Sequence, residues 1–501
     1  MRIRIDIQAR FVVSLLLAWP SVAPAQSPMP APTPPPNLAS DSEPARMPGL
    51  PPALPPRESA SNTRSSDASL PTTETVDPSK VGGVSLSGLI GTALRANPDL
   101  VSASERIQIA DATLRRARAE FYPKLSLTEA FVSTNIAGLA FFLEANQRRL
   151  SLNQDFNHPG FVSNFSTLAT LQQNIYAGGK RTAETLSAEE QRRAASFALG
   201  AVRNELVFRV AEAYYRVVQA GELLKGRSES VRSIERQVEL VRSRLDNGTA
   251  VRSDLLSVEV ELAEAREAMI TANNQLELTW AILENVVGCS VPHVLPSQAE
   301  PAPWTARTDA VESAIAEALA RRPELGASLS EVRGATHQVE AARAGKRPTV
   351  DFFGNFSTFD INPESGGNGL IVGLIASINV FDGHRTKSQV SAASARVREL
   401  QARHQRLLMD IELDVRRAYL ALQDADGRLL VSAQTIEQAD QSLREIEDRY
   451  NDAKATITQL IDARVAATNA RVRRASAAAD LEIARAGLER VLGRLNGLLA
   501  P

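Results

Sequence analysis

Leu168-Ala169-Thr170-Leu171-Gln172-Gln173-Asn174-Ile175-Tyr176-Ala177-Gly178-Gly179-Lys180-Arg181 decides how this chain is read. Up to Tyr176 it alternates: Leu171, Gln173 and Ile175 point one way, Gln172 and Asn174 the other. A period of two predicts a strand. After Gly178-Gly179 the period changes, and nothing before Asn247 interrupts a helix. One strand therefore runs almost directly into one very long helix, with two glycines as the pivot. A near copy, Ser377-Ile378-Asn379-Val380-Phe381-Asp382-Gly383-His384-Arg385, lies further along.

Working outward, the surroundings of this junction are duplicated. At an offset of 225, Ile90, Ala93-Leu94, Pro98, Leu100 and Pro123 fall on Ile315, Ala318-Leu319, Pro323, Leu325 and Pro348. At an offset of 205, Tyr176, Val210, Ala213-Tyr214, Leu255 and Arg266 meet Phe381, Val415, Ala418-Tyr419, Leu460 and Arg471. The offset falls by 20 between Pro123 and Tyr176, so the first strand-to-strand loop is longer by that amount. Insertions concentrate in exposed loops, which makes this a solvent-facing tip. The expected organisation is a first repeat over 81–300 and a second over 301–501.

Each repeat has the same expected elements. In the first, helix runs from Ser85 to Phe121 with a kink or break at Pro98. A strand starts at Leu125 after Tyr122-Pro123, a loop occupies Gly138 to Gly160, and a second strand covers Phe161 to Tyr176. The helix from Lys180 to Asp246, about 67 residues, would be roughly 100 Å long. Asn247-Gly248 reads as a turn, and Ser253-Asp254 as the start of a returning helix that ends near Val287. The flanking helices, about 37 and about 40 residues, together match the long one, so they can stack end to end beside it.

Composition excludes several classes. A net charge of −2 shows no bias toward nucleic acid. The single Cys289 rules out an internal disulfide and a Cys-rich metal site, and the five histidines show no pair at ligand spacing. Aromatic residues are only 5%, thin for a large globular core, whereas Ala, Leu, Glu, Arg and Gln dominate from Lys180 onward, as in long packed helices. Arg2, Arg4 and Arg10, the apolar run Phe11 to Trp19 and Ala23-Pro24-Ala25 before Gln26 read as an export signal over 1–25. No Cys near that site offers a lipidation point. Residues 26–80, rich in Pro, Ser, Ala and Thr, are expected to form a disordered arm. No later window is apolar enough for a transmembrane helix.

Gly178-Gly179-Lys180-Arg181 invites comparison with a phosphate loop, but Asn174 stands where the first glycine belongs and Thr182 comes one residue late. The glycines are expected to serve backbone geometry. No nucleophile elbow, zinc-protease or paired-carboxylate motif appears, so an enzyme is not expected, and neither is a cofactor or a metal.

The strands carry the more specific signal. Leu370, Val372, Leu374, Ala376, Ile378 and Val380 make an apolar face opposite Gly373, Ser377 and Asn379; Val350, Phe352 and Phe356 alternate with Asp351, Asn355 and Ser357. That pattern suits a half-buried soluble sheet or a membrane barrel with a wet interior. The export signal and the helix lengths favour the barrel. Four strands cannot close in lipid, so several chains must contribute. Two copies would give a barrel filled with side chains; three or more leave a channel.

Over Val84 to Leu498 the chain resembles the TolC-type outer membrane efflux protein family. The resemblance rests on Ala93-Leu94-x-x-Asn97-Pro98-x-Leu100, Tyr122-Pro123, Gln173-x-Ile175-Tyr176-x-Gly178-Gly179, and Asn247-Gly248 with Ser253-Asp254-Leu255-Leu256, together with their echoes in the second repeat. It implies a mainly α fold with a small membrane β-barrel: duplicated long-helix hairpins forming an α-helical barrel, and four strands per chain completing the β-barrel in a homotrimer. It implies an exit duct in the outer membrane with a large periplasmic part, joined through a periplasmic adaptor to an inner membrane pump and performing no chemistry.

The resemblance also implies a periplasmic entrance at the helix-turn ends. Asp254 and Tyr450 match latch positions and Asp462 matches one entrance acid. Ala455 stands where the latch arginine is expected and Gln459 where the other acid is expected, leaving Lys454 as a substitute. Asp254 reads equally well as a plain helix N-cap. The barrel-to-tunnel junction is expected at Pro123, Gly178, Gly179, Pro348 and Gly383. The rival from another class is an exported, non-channel coiled-coil structural or adaptor protein of the periplasm.

Overall fold

Asn97-Pro98 separates two helices in the computed structural model, which describes residues 85–151, 153, 155–295, 310–360, 366–452 and 454–495. These lie in one unit, Thr75–Pro501. The export signal and the Pro-rich arm fall outside the described residues. α1 (Leu86–Ala96) begins where the Ser85 hydroxyl accepts the Gly88 amide at 3.1 Å. α2 (Pro98–Ala119) begins where Asn97 Oδ1 accepts the Asp99 amide at 2.8 Å. Proline at the first helical position has no amide to satisfy, so the break costs nothing there.

The rest of the first half follows as β1 (Lys124–Thr134), α3 (Ala137–Asn146), β2 (Val162–Tyr176), α4 (Lys180–Asp246) and α5 (Arg252–Val287). The second half repeats the order, with no counterpart of α3 among the described residues. It consists of α6 (Val311–Arg321), α7 (Pro323–Arg343), a 3-10 turn at Ala344–Lys346, β3 (Thr349–Asp360), β4 (Gly367–Ser377), α8 (Arg385–Asn451) and α9 (Ile457–Val491). The two long helices have 67 residues each, with the bounds expected for α4.

Three expectations change. The longer loop contains helix α3, which its sequence conceals because Gly138 reads as a breaker and the apolar residues show no clear period. β4 stops at Ser377 although the alternation continues to Val380. Ser377 pairs with Thr349, the first residue of β3, and Pro348 before it has no amide to extend the ladder. The returning helix starts at Arg252, with Val251 as the cap residue, so Asp254 is in the first turn and is not the N-cap.

The strands form one antiparallel sheet in the order β1-β2-β3-β4, with a bulge between Asn174 and Tyr176 in β2. The register aligns Leu125, Leu171, Gly354 and Val372, then Leu127, Ala169, Phe356 and Leu370, on one face. The other face carries the rows Ser126, Thr170, Asn355, Ile371 and Thr128, Leu168, Ser357, Gly369. One face is therefore oily and the other mostly polar or small.

The helices bury three apolar clusters. The largest joins α1, α4, α5 and α9 through Leu86, Ile90, Val210, Tyr214, Leu283 and Ala486. A second joins α6, α8 and α9 through Ala314, Ala318, Ile411, Val415 and Leu488. The third lies near the hairpin turns. End-to-end stacking of the shorter helices is visible where α1, α2 and α5 meet. Asn97 Nδ2 donates to the Val286 carbonyl at 2.7 Å, and Gly288, at φ 88°, sits against the Ala96 carbonyl. Truncating a fully buried leucine such as Leu283 would cost about 2–5 kcal/mol.

Candidate functional site: hairpin tips and barrel junction

At the first tip, α4 ends in a left-handed cap. Gly248 has φ 73°, its amide bonds the Leu245 carbonyl at 2.9 Å, and the Thr249 amide bonds the Arg244 carbonyl at 2.8 Å. At the second, the Asp452 amide bonds the Asp448 carbonyl at 3.0 Å, and α9 opens with a capping box. There the Thr456 hydroxyl accepts the Gln459 amide at 3.3 Å while Gln459 Oε1 accepts the Thr456 amide at 3.0 Å. Ile234, Val238, Val241, Val258, Ile457 and Leu460 bury a small core behind both tips.

The expected entrance residues cluster at these tips, with distinct tasks. Asp254 and Gln459 occupy equivalent positions, each the third residue of its returning helix. Gln459 is spent on the capping box. Asp254 makes no side-chain hydrogen bond among the described residues, and a carboxylate in a first helical turn is favoured by the helix dipole. Asp462 is exposed, without a hydrogen bond or ion pair among the described residues. Lys454 pairs with its neighbour Asp452 at 2.9 Å, a local contact within one tip.

Tyr450 touches the other tip through a partner the sequence did not point to. The Arg244 guanidinium lies 4.8 Å from the Tyr450 ring centre and donates to Asn451 Oδ1 at 3.3 Å, linking the end of α4 to the end of α8. One to two turns behind, Arg464 bonds Glu447 at 3.0 Å and reaches toward the Ser233 carbonyl. Burial pushes the Glu261 carboxyl above its usual range; Arg464 opposes that shift, and Glu264 and Asp462 add to it. Arg244, Glu261, Glu447 and Arg464 were not legible as a group, because helices from both repeats bring them together.

The residues expected at the junction stand where strands start or give way to helices. Pro123 and Pro348 immediately precede β1 and β3. Gly178 and Gly179 have φ 62° and 88°, and Gly383 and His384 repeat the conformation at 61° and 68°. Two successive left-handed residues turn a strand into a helix, and glycine adopts that conformation without strain. Gly178 is constrained twice: a Cβ there would lie 2.7 Å from Arg347 Cβ and 3.2 Å from the Ala344 carbonyl. Its own carbonyl accepts from Arg347 Nη1 at 2.9 Å. Arg181 donates to the Glu120 carbonyl at 3.0 Å and the Ile175 carbonyl at 3.1 Å, with Phe121 against its guanidinium.

In the second repeat Asp382 takes over the helix start. Its carboxylate accepts from the Thr386 amide at 2.9 Å and from the Thr386 hydroxyl, which hold it below the usual carboxylate range. No group of three or more His, Cys, Asp and Glu arranged for a metal occurs among the described residues. No helix among them is long and apolar enough to cross a membrane.

The sequence profile for outer membrane efflux proteins matches residues 89–289 and 314–494, one match in each half of the duplication. The chain belongs to the outer membrane efflux protein family. Relatives of this family member include protein CyaE of Bordetella pertussis, 26% identical over 423 residues, covering 83% of this chain and 85% of that protein. The pyoverdine export outer membrane protein OpmQ of Pseudomonas putida is 26% identical over 397 residues, 75% of this chain and 79% of that one. The crystal structure of VceC from Vibrio cholerae shares the fold, with TM-score 0.68 and 20% identity over 81% of this chain and 96% of that chain. As a member of this family the chain is an outer membrane exit duct of the efflux and secretion type. Members of the family are channels.

Proposed function

We propose that three copies of this chain close into one duct, a twelve-stranded barrel in the outer membrane continued by a helical tunnel through the periplasm. A periplasmic adaptor and an inner membrane pump engage the tunnel and supply the energy. Transport through the duct is passive, and the chain performs no chemistry. The oily face of the sheet meets lipid and the polar face lines water.

The observation that carries this reading is the unfinished pattern of the duplication. Within the chain β2 pairs with β3, and α4 packs on α7, joining the first repeat to the second. The equivalent partners, β4 with β1 and α8 with α2, are left open in a single chain. Their free flanks carry Val101 and Ile109 on α2 and Met409 and Leu420 on α8, all more than half exposed. A second copy fits there as the second repeat fits the first, a head-to-tail contact that must close into a ring. Gly383 fits the same scheme: the space around it is empty in one chain, whereas its counterpart Gly178 is pressed against Arg347. Two copies would close eight strands, too few for an open lumen, so three is the smallest conducting ring.

The rival coiled-coil reading requires water-facing strands, against which stand Leu125, Leu127, Leu370 and Val372 in a row of exposed apolar side chains. The test is membrane fractionation followed by planar-bilayer recording. An oligomer in the outer membrane that conducts supports the duct; a soluble periplasmic protein that never conducts would sink it. At the tips, Asp254, Tyr450 and Asp462 are assigned to the entrance, with Arg244 in place of the missing latch arginine and Gln459 acting only as a cap.

A further inference from the structure

The longer strand-to-strand loop of the first repeat does not project away from the sheet. Helix α3 folds back onto its polar face, and three separate contacts agree on the side. Gln147 Nε2 donates to Asn164 Oδ1 at 2.9 Å and to the Ser163 carbonyl at 2.9 Å, burying both amide side chains. The Phe142 ring stands edge-on to Phe359, with centres 6.4 Å apart. Gly367 opens β4 opposite Phe359, and a Cβ there would overlap the Asn146 carbonyl. Phe359 and Gly367 share a row with Ser166 and Ala130, and Asn164, opposite Val132, lies on the same face one row further. All lie at the strand ends far from Gly178 and Gly383.

The end of α3 is also fixed. Arg148 takes the left-handed conformation at φ 57° without being glycine, and the Arg149 amide closes the helix on the Glu144 carbonyl at 3.0 Å. The Arg148 guanidinium reaches Asn368 Oδ1 on β4 at 3.5 Å. Ala140 and Leu143 are buried beneath the helix. Leu139, Phe141 and Phe142 remain 40%, 44% and 54% exposed. Phe141 packs edge-on to Phe156 and Phe142 to Phe359, and the exposed parts of these side chains, with Leu139, leave an apolar surface facing whatever that sheet face lines.

We propose that α3 is an exit constriction: three copies converge inside the outer mouth of the barrel, and Leu139, Phe141 and Phe142 form an apolar ring that limits the size of what passes. This rests on the duct reading above, in which the polar face lines the lumen. Size makes the constriction severe. Twelve strands spaced about 4.8 Å and tilted about 40° give a ring about 24 Å across between backbones. Three helices, each about 10 Å thick, leave little open area inside it. The second repeat has no such helix among the described residues, so the constriction comes from the 20-residue length difference between the two loops.

The test places a cysteine below the ring. Gln172 lies on the polar face of β2 opposite Lys124, near the junction. Gln172→Cys is made with Cys289→Ser, which removes the one native thiol. It is compared with a chain in which residues 137–146 are replaced by a short Gly-Ser linker. Intact cells are treated from outside with a small maleimide or with one carried on a large polyethylene glycol chain. The small reagent should label both proteins, and the large one should label the linker variant at least about tenfold faster. Equal rates for the large reagent would overturn the constriction while leaving the duct intact. Failure of the small reagent on both would overturn the water-filled lumen itself. A second variant guards against misfolding of the first: Phe142→Cys with Cys289→Ser should be linked between copies by a short bis-maleimide. Absence of such links in the assembled protein would overturn the convergence of the helices.

Discussion

Arg464 on α9 bonds Glu447 on α8 at 3.0 Å, and the same two positions of the first repeat hold the pair with its charges exchanged, Arg242 on α4 to Glu259 on α5 at 3.4 Å. The duplication kept an ion pair between long and returning helix while reversing its sign. A second pair kept its sign: Arg266 to Glu235 and Arg471 to Asp440, each 2.8 Å. The exchanged pairs also differ in burial. Arg464 is 19% exposed, whereas Arg242 is 54% exposed.

That difference sets the first prediction. Glu447→Ala leaves the mostly buried Arg464 charge unpaired and should cost about 1–3 kcal/mol in denaturant unfolding. Glu259→Ala at the exposed counterpart should cost no more than about 1 kcal/mol. Equal losses would mean that burial does not distinguish the two repeats here.

Glu261 should make stability at the tips depend on pH in a defined direction. Its folded-state pKa lies above the unfolded value, so the folded state binds the proton more tightly. The resulting penalty is present above the folded pKa and disappears as pH falls below the unfolded value. Glu261→Gln should therefore stabilise the protein at neutral pH, with the gain fading through the ordinary glutamate range. Melting curves of both proteins across that range check it; a gain that grew toward acid pH would reverse the sign.

If the tips form the entrance as proposed, the Arg244–Tyr450 contact should restrain them. Arg244→Ala removes the stacking and the bond to Asn451 and should raise the mean bilayer conductance about twofold or more while changing unfolding stability by less than about 1 kcal/mol. Matching behaviour of Tyr450→Ala, and no further gain in the double variant, would show that the two residues act as one contact.

Among the described residues Asp462 has no ion-pair partner, and in the proposed ring three copies would make a ring of like charge. Asp462→Ala should weaken block of the channel by multivalent cations about tenfold, measured from current traces over a cation titration. An unchanged block would remove Asp462 from the entrance.

The two junction glycines should fail at different stages. Gly178→Ala meets Arg347 and Ala344 inside the chain and adds left-handed strain, so folding itself should suffer by several kcal/mol, on the order of 3. Gly383→Ala meets nothing in a single chain, so its strain alone costs about 1–2 kcal/mol. Its larger effect should be on the yield of assembled oligomer, because in the proposed ring a neighbouring copy would fill that space. Quantifying folded monomer and membrane oligomer separately tells the two apart.

The residues by themselves determined the architecture, because its signals are local and repeated. The change of period at Gly178-Gly179, its echo at Gly383, the turn at Asn247-Gly248 and the break at Asn97-Pro98 each follow from what the backbone permits at those residues. Fixed offsets between the halves located the one place where they differ. Only the tertiary structure decided what fills that place and how the tips are tied. α3 has no period to reveal it and is defined by its seat on the polar sheet face. Gln459 is absorbed in a capping box, and Tyr450 is held by Arg244, a residue about 200 positions away. The Glu447–Arg464 pair and the burial of Glu261 likewise depend on three helices meeting. Backbone turns are written in neighbouring residues; side-chain partnerships across helices depend on packing, which no single stretch of sequence contains.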